Sequence, residues 1–123
     1  MYTKKVMEQF QKTDNYGEIK AADGIGKVGN PRCGDVMWIY LKIEEDIIVD
    51  AKYKTFGCVA AIASSSMAID MIKGKNINDA LKVSNKAVAE AMEGLPPEKQ
   101  HCSVLAEEGI KKAIEDYLNK KKQ

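Results

Sequence analysis

Two runs of strict alternation mark the middle of the chain. In the first, Met37, Ile39, Leu41 and Ile43 fall on one side and Val36, Trp38, Tyr40 and Lys42 on the other. Glu44-Glu45-Asp46 is a polar break, after which Ile47, Val49, Ala51 and Tyr53 alternate with Ile48, Asp50, Lys52 and Lys54. A period of two sends successive side chains to opposite faces of a strand. Two such runs joined by a short polar link predict an antiparallel hairpin over 36–43 and 47–54, with one buried face.

The period then changes. Val59, Ala60, Ala61, Ile62, Ala63, Met67, Ala68, Ile69, Met71 and Ile72 crowd a stretch that ends in Lys73-Gly74. Apolar positions nearly all round predict a heavily buried helix over 59–73, with a glycine just past its end. Ser64-Ser65-Ser66 lowers helix propensity there but permits close packing. Val6, Met7 and Phe10 predict a short amphipathic helix over 3–11. Residues 12–30 are polar and hold Gly17, Gly24, Gly26 and Gly29, which reads as a loop with one short strand near Val28. Asn78 and Ser84 fit as N-caps of helices over 79–83 and 85–93, with Gly94 ending the second. Leu95-Pro96-Pro97 cannot continue a helix and reads as extended. Leu105, Ile110, Ala113, Ile114, Tyr117 and Leu118 share one face of a last helix over 103–121, in which Gly109 costs about 1 kcal/mol against alanine.

Composition narrows the class. The chain has 123 residues, the size of one domain, here 1–123. It is 45% hydrophobic and 30% charged, with a net charge of +1, so bulk charge points to neither nucleic acid nor a membrane surface. No apolar run approaches the about 18–20 residues needed to span a bilayer. Met1-Tyr2-Thr3-Lys4-Lys5 leads into no apolar segment of a signal peptide. An odd count of 3 cysteines disfavours a secreted disulfide framework. The expected compartment is reducing, hence cytoplasmic.

Candidate chemistry lies at the element boundaries. Gly29-Asn30-Pro31-Arg32-Cys33-Gly34-Asp35 places a thiol and a carboxylate two positions apart, on one side of a locally extended segment. Cys33 leads into the first hairpin strand, Cys58 follows the second, and Cys102, after the only histidine, His101, precedes the last helix. Loops at element ends are where metal-binding and catalytic groups are usually presented. A thiol at a helix N-terminus is favoured as thiolate. Three thiolates with Asp35 or His101 suit zinc or an iron–sulfur cluster. An oxygen or nitrogen in the fourth position would hold a cluster loosely, which suits a carrier better than an electron-transfer protein. Cys102 and His101 are sequence neighbours, a poor geometry for a nucleophile and its base, so hydrolase chemistry is disfavoured.

Three runs carry a specific resemblance. Gly29–Asp35, Phe56-Gly57-Cys58-Val59-Ala60-Ala61-Ile62-Ala63-Ser64-Ser65-Ser66 and His101-Cys102-Ser103-Val104-Leu105-Ala106-Glu107 closely resemble the IscU-type iron–sulfur cluster assembly scaffolds of the NifU N-terminal-like family. The resemblance covers essentially the whole chain. It implies an α+β fold of the IscU/SufE-like kind, a three-stranded antiparallel sheet packed against about five helices in a single domain. It implies a non-catalytic scaffold with Cys33, Asp35, Cys58, His101 and Cys102 as the cluster and metal ligands, and Cys102 as sulfur acceptor. Sulfur comes as persulfide from a pyridoxal-phosphate cysteine desulfurase; Fe2+ joins it in a transient [2Fe-2S] cluster, with [4Fe-4S] as a second form, which passes to apo iron–sulfur acceptor proteins. Asp35 is the ligand that keeps the cluster labile. Zn2+ suits the same ligands in the cluster-free form.

A frataxin-like protein and a ferredoxin are further partners of that family, and Tyr2 matches an N-terminal tyrosine linked to a homodimer. Where bacterial and mitochondrial members have valine in the chaperone-binding segment, this chain has Glu98 within Leu95-Pro96-Pro97-Glu98-Lys99. An acidic group is costly to bury in an apolar groove, which argues against a dedicated chaperone. Val59 replaces a glycine often found after the second cysteine. The chain lacks the insertion of the zinc-dependent SufU relatives and keeps His101, which sets it on the IscU side.

Overall fold

The computed structural model describes residues 3–12, 14–30, 35–55, 59–92 and 101–121, with the side chains of all but Asn30, Asp35, Ala60, Asn85, His101, Cys102 and Ser103. Its elements run α1 (Lys4–Gln11), β1 (Gly24–Asn30), β2 (Asp35–Glu44), β3 (Ile47–Thr55), α2 (Val59–Ile72), α3 (Ile77–Ala80), α4 (Asn85–Ala91) and α5 (His101–Lys121). The strands form one antiparallel sheet in the order β1-β2-β3. α2 and α5 pack on the sheet, α1 on α2, and α4 on both α2 and α5, so the helices form a layer over one face. Among the described residues no helix is long and apolar enough to cross a membrane.

The hairpin forms where the alternation places it. Met37, Ile39, Leu41 and Ile43 are buried under the helices. On β3 the alternation breaks. Lys42 pairs with Asp50 but Ile43 pairs with Ile48, leaving Val49 as an extra residue. This bulge turns Ile48 inward, fully buried, and leaves Val49 48% exposed. The inner set of β3 is therefore Ile48, Ala51, Tyr53 and Thr55. The connection tightens to Glu45-Asp46, with φ of 53° and 62°. Both lie in the left-handed region that such hairpin turns demand and that glycine or asparagine would adopt more easily. Asp46 is held in place: its carboxylate accepts from the Tyr117 hydroxyl at 2.8 Å and Lys121 Nζ at 3.0 Å.

β1 is a full strand, longer than the short one expected near Val28. Its inward positions are Gly24, Gly26 and Val28, and its outward ones Ile25, Lys27 and Gly29. Two of the three inward residues are glycines, which hides the alternation from a hydrophobicity count. Space explains them: a Cβ on Gly24 would strike the Ala113 carbonyl, and one on Gly26 the Gly109 carbonyl and the Ala113 backbone. From the helix side, a Cβ on Gly109 would lie 2.8 Å from Ile39 Cγ1. Backbone rests on backbone, and the helix cost of Gly109 is offset by this contact.

α2 is buried as its composition requires. Ser64, Ser65 and Ser66 are all 0% exposed. Ser65 Oγ donates to the Ala61 carbonyl at 2.7 Å and lies 3.3 Å from Met37 Sδ. α2 ends before Gly74, whose φ of 84° matches a C′ glycine. The next helix starts two residues earlier than expected, because Asn76 and not Asn78 caps it: Asn76 Oδ1 accepts from Asp79 N at 2.8 Å. Ser84 caps α4 as expected. Met92 closes α4; Gly94 and the Leu95–Lys99 segment lie outside the described residues. α5 starts at His101, two residues before the expected 103.

The N-terminal segment is fastened to α2 through polar groups. Lys12 Nζ reaches Asp70 at 2.8 and 2.9 Å, and buried Asn15 donates to Asp70 at 2.8 Å while accepting from Lys73 Nζ at 2.7 Å. Burial alone would raise the Asp70 carboxyl; bonds from Lys12, Asn15 and Gln9 outweigh it and hold it below the usual range.

Two predictions follow from these contacts. Gly26→Ala forces β1 and α5 apart and should cost about 2–3 kcal/mol by urea unfolding; a loss under about 0.5 kcal/mol would contradict the close approach. Asp70 holds its proton less tightly folded than unfolded, so its contribution is complete above the ordinary carboxylate range and fades as pH falls through the lower folded value. Asp70→Asn should therefore cost about 1 kcal/mol at neutral pH. Its stability should converge on wild type only as pH falls well below the ordinary carboxylate range, as read from melting curves across pH; a pH-independent difference would overturn the assignment.

Candidate functional site

The described residues that flank the sequence-derived site lie at strand ends and helix starts. Asp35 opens β2 and pairs with Asn30, the last residue of β1, so the two strands close around 31–34. Cys33 is in that loop and Cys58 in the 56–58 connection; both lie outside the described residues, as does Tyr2. His101 and Cys102 are the first two residues of α5. For Asp35, His101 and Cys102 the backbone is described and the side chain is not.

Register relates these positions. β1 and α5 run antiparallel, since Gly24 faces Ala113 and Tyr117 while Gly26 faces Gly109 and Ala113. From Gly26 to Asn30 the strand advances about 13 Å at 3.3 Å per residue. From Gly109 back to His101 the helix covers about 12 Å at 1.5 Å per residue. Asn30, its partner Asp35 and the start of α5 are therefore level. Met37 ties in the third segment. It pairs with Thr55, the end of β3, and its Sδ lies 3.3 Å from Ser65 Oγ on α2. Val59, the first residue of α2, is about 9 Å back along the helix from Ser65, on the same side as Asp35, about 7 Å along β2 from Met37. The chain thus enters or leaves each cysteine-bearing segment at one end of the fold.

The electrostatics of that end come from the backbone. α2 and α5 both begin there, and neither has an acidic residue in its first turn. Each first turn presents N–H groups without intrahelical partners and the positive end of the helix dipole. Both features favour anionic sulfur. Val59 packs half-buried against the core and so fixes the first turn of α2.

Sequence reading missed the residues that set this geometry. Gly24 and Gly26 read as loop punctuation and Gly109 as a weak point in a helix. The signal available was the spacing of Gly24, Gly26 and Val28, a period of two with glycine standing for an apolar residue.

Comparison with known proteins adds an independent line. The chain matches the family described as NifU-like N terminal domain over residues 1–123. Iron-sulfur cluster assembly scaffold protein IscU 1 of Archaeoglobus fulgidus is 55% identical over 120 residues, covering 98% of this chain and 78% of that protein. The Azotobacter vinelandii protein of the name iron-sulfur cluster assembly scaffold protein IscU is 48% identical over 124 residues, covering 98% and 96%. The crystal structure of a nitrogen-fixing NifU-like protein (N-terminal) from Brucella abortus superposes with a TM-score of 0.79 at 17% identity, covering 96% of this chain and 94% of that one, and so shares the fold. With the sheet order, the helix layer and the three motifs already in place, this full-length match makes the chain a member of the NifU-like N-terminal family, the family of the iron–sulfur cluster assembly scaffolds.

Proposed function

We propose that the 1–123 domain is a scaffold on which an iron–sulfur cluster is built and from which it is handed on, with the cluster as cargo. The supporting observation is the shared level of Asn30–Asp35, the end of β3, the start of α2 and the start of α5. Cys33, Cys58 and Cys102 each lie within three residues of one of these points, which supports the reading that their sulfurs share one iron pair. Asp35 and His101 supply the remaining ligand.

In this reading Cys102 is the entry point for sulfur. Its thiolate, favoured at the first turn of α5, attacks the outer sulfur of a persulfide on a pyridoxal-phosphate cysteine desulfurase. The S–S bond of the donor breaks, the donor cysteine leaves as thiolate, and Cys102 carries the persulfide. Fe2+ then binds among the thiolates; reducing two delivered sulfurs to sulfide takes four electrons, two from the two Fe2+ ions and two from a one-electron donor such as a ferredoxin, and the [2Fe-2S] cluster forms as the Cys102 thiolate is released. Three soft sulfur ligands hold it, while the carboxylate oxygen of Asp35 is a harder and weaker partner for cluster iron. That mismatch leaves one iron open to exchange with the cysteines of an apo acceptor protein. Nothing in this role requires turnover of a bound substrate, so the protein acts as scaffold and carrier and not as an enzyme.

Anaerobic reconstitution with Fe2+, cysteine and a desulfurase should produce the visible absorbance of a cluster, with acid-labile sulfide in proportion to iron. Cys33→Ser, Cys58→Ser and Cys102→Ser should each reduce the yield about tenfold or more; three silent variants would sink the proposal, and zinc without sulfide in protein isolated anaerobically would favour a zinc-bound sulfur-transfer role on the same ligands. Asp35→Ala passes the fourth position to the His101 imidazole, a softer ligand than the carboxylate. It should slow cluster loss to an apo acceptor several-fold, and faster loss would contradict the role given to Asp35.

A further inference from the structure

The sheet has two edges, β1 and β3, and they are guarded unequally. Along β3 the amide groups that point away from β2 find partners. Tyr53 N–H donates to the Asn15 carbonyl at 2.9 Å, and the Tyr53 carbonyl accepts from Gly17 N at 2.8 Å. Ile48 is paired in the same way by the Lys75 carbonyl at 2.9 Å and Gly74 N at 2.8 Å. Between these two points the strand bulges at Val49, and the Asp50 carboxylate accepts from Ala51 N at 2.9 Å. Such devices keep a sheet from adding strands.

β1 has one such device among the described residues. Tyr53 turns its amide groups away from its partner Ile39, so Ile39 turns its own toward Gly26. Alternation then sends the amide groups of Ile25, Lys27 and Gly29 off the edge of the sheet. Ile25 N–H donates to Asp116 Oδ2 at 2.9 Å. Among the described residues nothing bonds to the N–H groups of Lys27 and Gly29, or to the carbonyls of Ile25, Lys27 and Gly29. All three residues are exposed, and in Gly29 the exposed surface is the backbone itself.

We propose that β1 takes a fourth strand from a partner protein: an extended segment without proline and with glycine, alanine or serine at alternate positions. The free N–H and carbonyl groups call for an extended backbone. A second copy of this chain does not fit. α5 rests directly on Gly24 and Gly26, so continuing the sheet through a two-fold axis would set a second α5 about 5 Å away, where packed helices need about 8–10 Å. The longest segment of this chain outside the described residues, 93–100, does not fit either. Pro96 and Pro97 are consecutive, so one of them would always face β1 without an N–H. Small residues are required because Asp116 reaches from α5 past β1 to Ile25 N–H, which puts the flank of the helix over the added strand. Asp116 also ends the ladder, since Ile25 N–H is already bonded. The full rungs are then Lys27 and Gly29, next to Asn30. That the segment would lie beside a cluster rests on the proposed function; the pairing itself does not.

The test is an amide NMR titration of the full-length, metal-free protein with an acetylated and amidated peptide in which threonine alternates with glycine. Residues paired across a sheet share a face, so the threonines stand opposite Lys27 and Gly29 with their N–H groups toward β1, and the glycines turn theirs away. At saturation the Lys27 and Gly29 amides should shift, and their hydrogen exchange should slow at least about tenfold. N-methylation of the threonines should weaken binding at least about tenfold, and N-methylation of the glycines should not. Valine in place of glycine should weaken it as well. Lys27→Pro removes one donor at an edge where proline is tolerated, and should also lower the affinity about tenfold. If that variant melts early, the methylated peptides give the same reading on the unaltered protein. Exchange at Lys27 and Gly29 left unslowed by millimolar peptide, equal binding of the two methylated peptides, or protection of those amides in a peptide-free dimer seen by sedimentation would each overturn the proposal. Because no metal is present, failed cluster reconstitution would leave the result standing.

Discussion

At Gly24 and Gly26 no side chain of β1 separates the strand from α5. Gly24 and Gly26 bring the strand against the helix backbone at Ala113 and Gly109, closer than any residue with a Cβ would allow. This contact fixes the height of α5 along the sheet. Two further ties agree with it: Asp116 Oδ2 accepts from Ile25 N at 2.9 Å, and Asp46 accepts from Tyr117 and Lys121 at the far turn of the hairpin. A slip of one helical turn, about 5.4 Å, would break all three together. α5 is thus a rod seated in the core through Leu105, Ala106, Ile110, Ala113 and Ile114, and its first two residues are His101 and Cys102.

That arrangement matters because metal–sulfur chemistry tolerates little error in position. Iron–sulfur bonds are short, and ligands from three distant parts of a chain must meet within them. In the proposed role, rigid elements bring the segments that flank Cys33, Cys58 and Cys102 to one end of the fold. The same geometry aligns two helix N-termini there. An iron–sulfur cluster held by thiolates is an anion, and unpaired N–H groups with the positive ends of two dipoles offset its charge without adding a strong ligand. Stabilisation through the field, unlike a fourth thiolate, leaves the cluster free to depart.

Much of this was legible in the sequence where burial follows hydrophobicity. The hairpin, the buried α2 and the amphipathic α5 came from period alone, and Ser84 was a readable cap. The misses share a cause: backbone geometry took the place of a side-chain signal. β1 looked like a loop because its inward residues are glycines. The bulge at Val49 exchanged Ile47 and Ile48, two residues that no hydrophobicity scale separates. Asn76 displaced Asn78 as a cap because Ile77 has a buried place to fill, and tertiary packing decides between equivalent caps. The candidate site was read in a different way. Neither Cys33, Cys58 nor Cys102 has metal-binding spacing with another, so their grouping emerged from their place at element ends and from resemblance to a family. The convergence of their flanks followed only from the strand register and the seat of α5.

Cargo exchange sets a condition on the rest of the molecule. In the proposed role a donor and an acceptor both approach the end where α2 and α5 begin, while the helix layer closes one side of the sheet and the N-terminal segment is pinned to α2 by Lys12, Asn15 and Asp70. The helix layer leaves two surfaces, the end where α2 and α5 begin and the outward face of the sheet. Those two surfaces adjoin at Val36 and Gly29, which pair on the last outward row before Asp35. A partner that approaches the end where α2 and α5 begin therefore never needs to displace a helix. The stiffness that sets the ligands is then compatible with release, because access runs along the face that the core does not use.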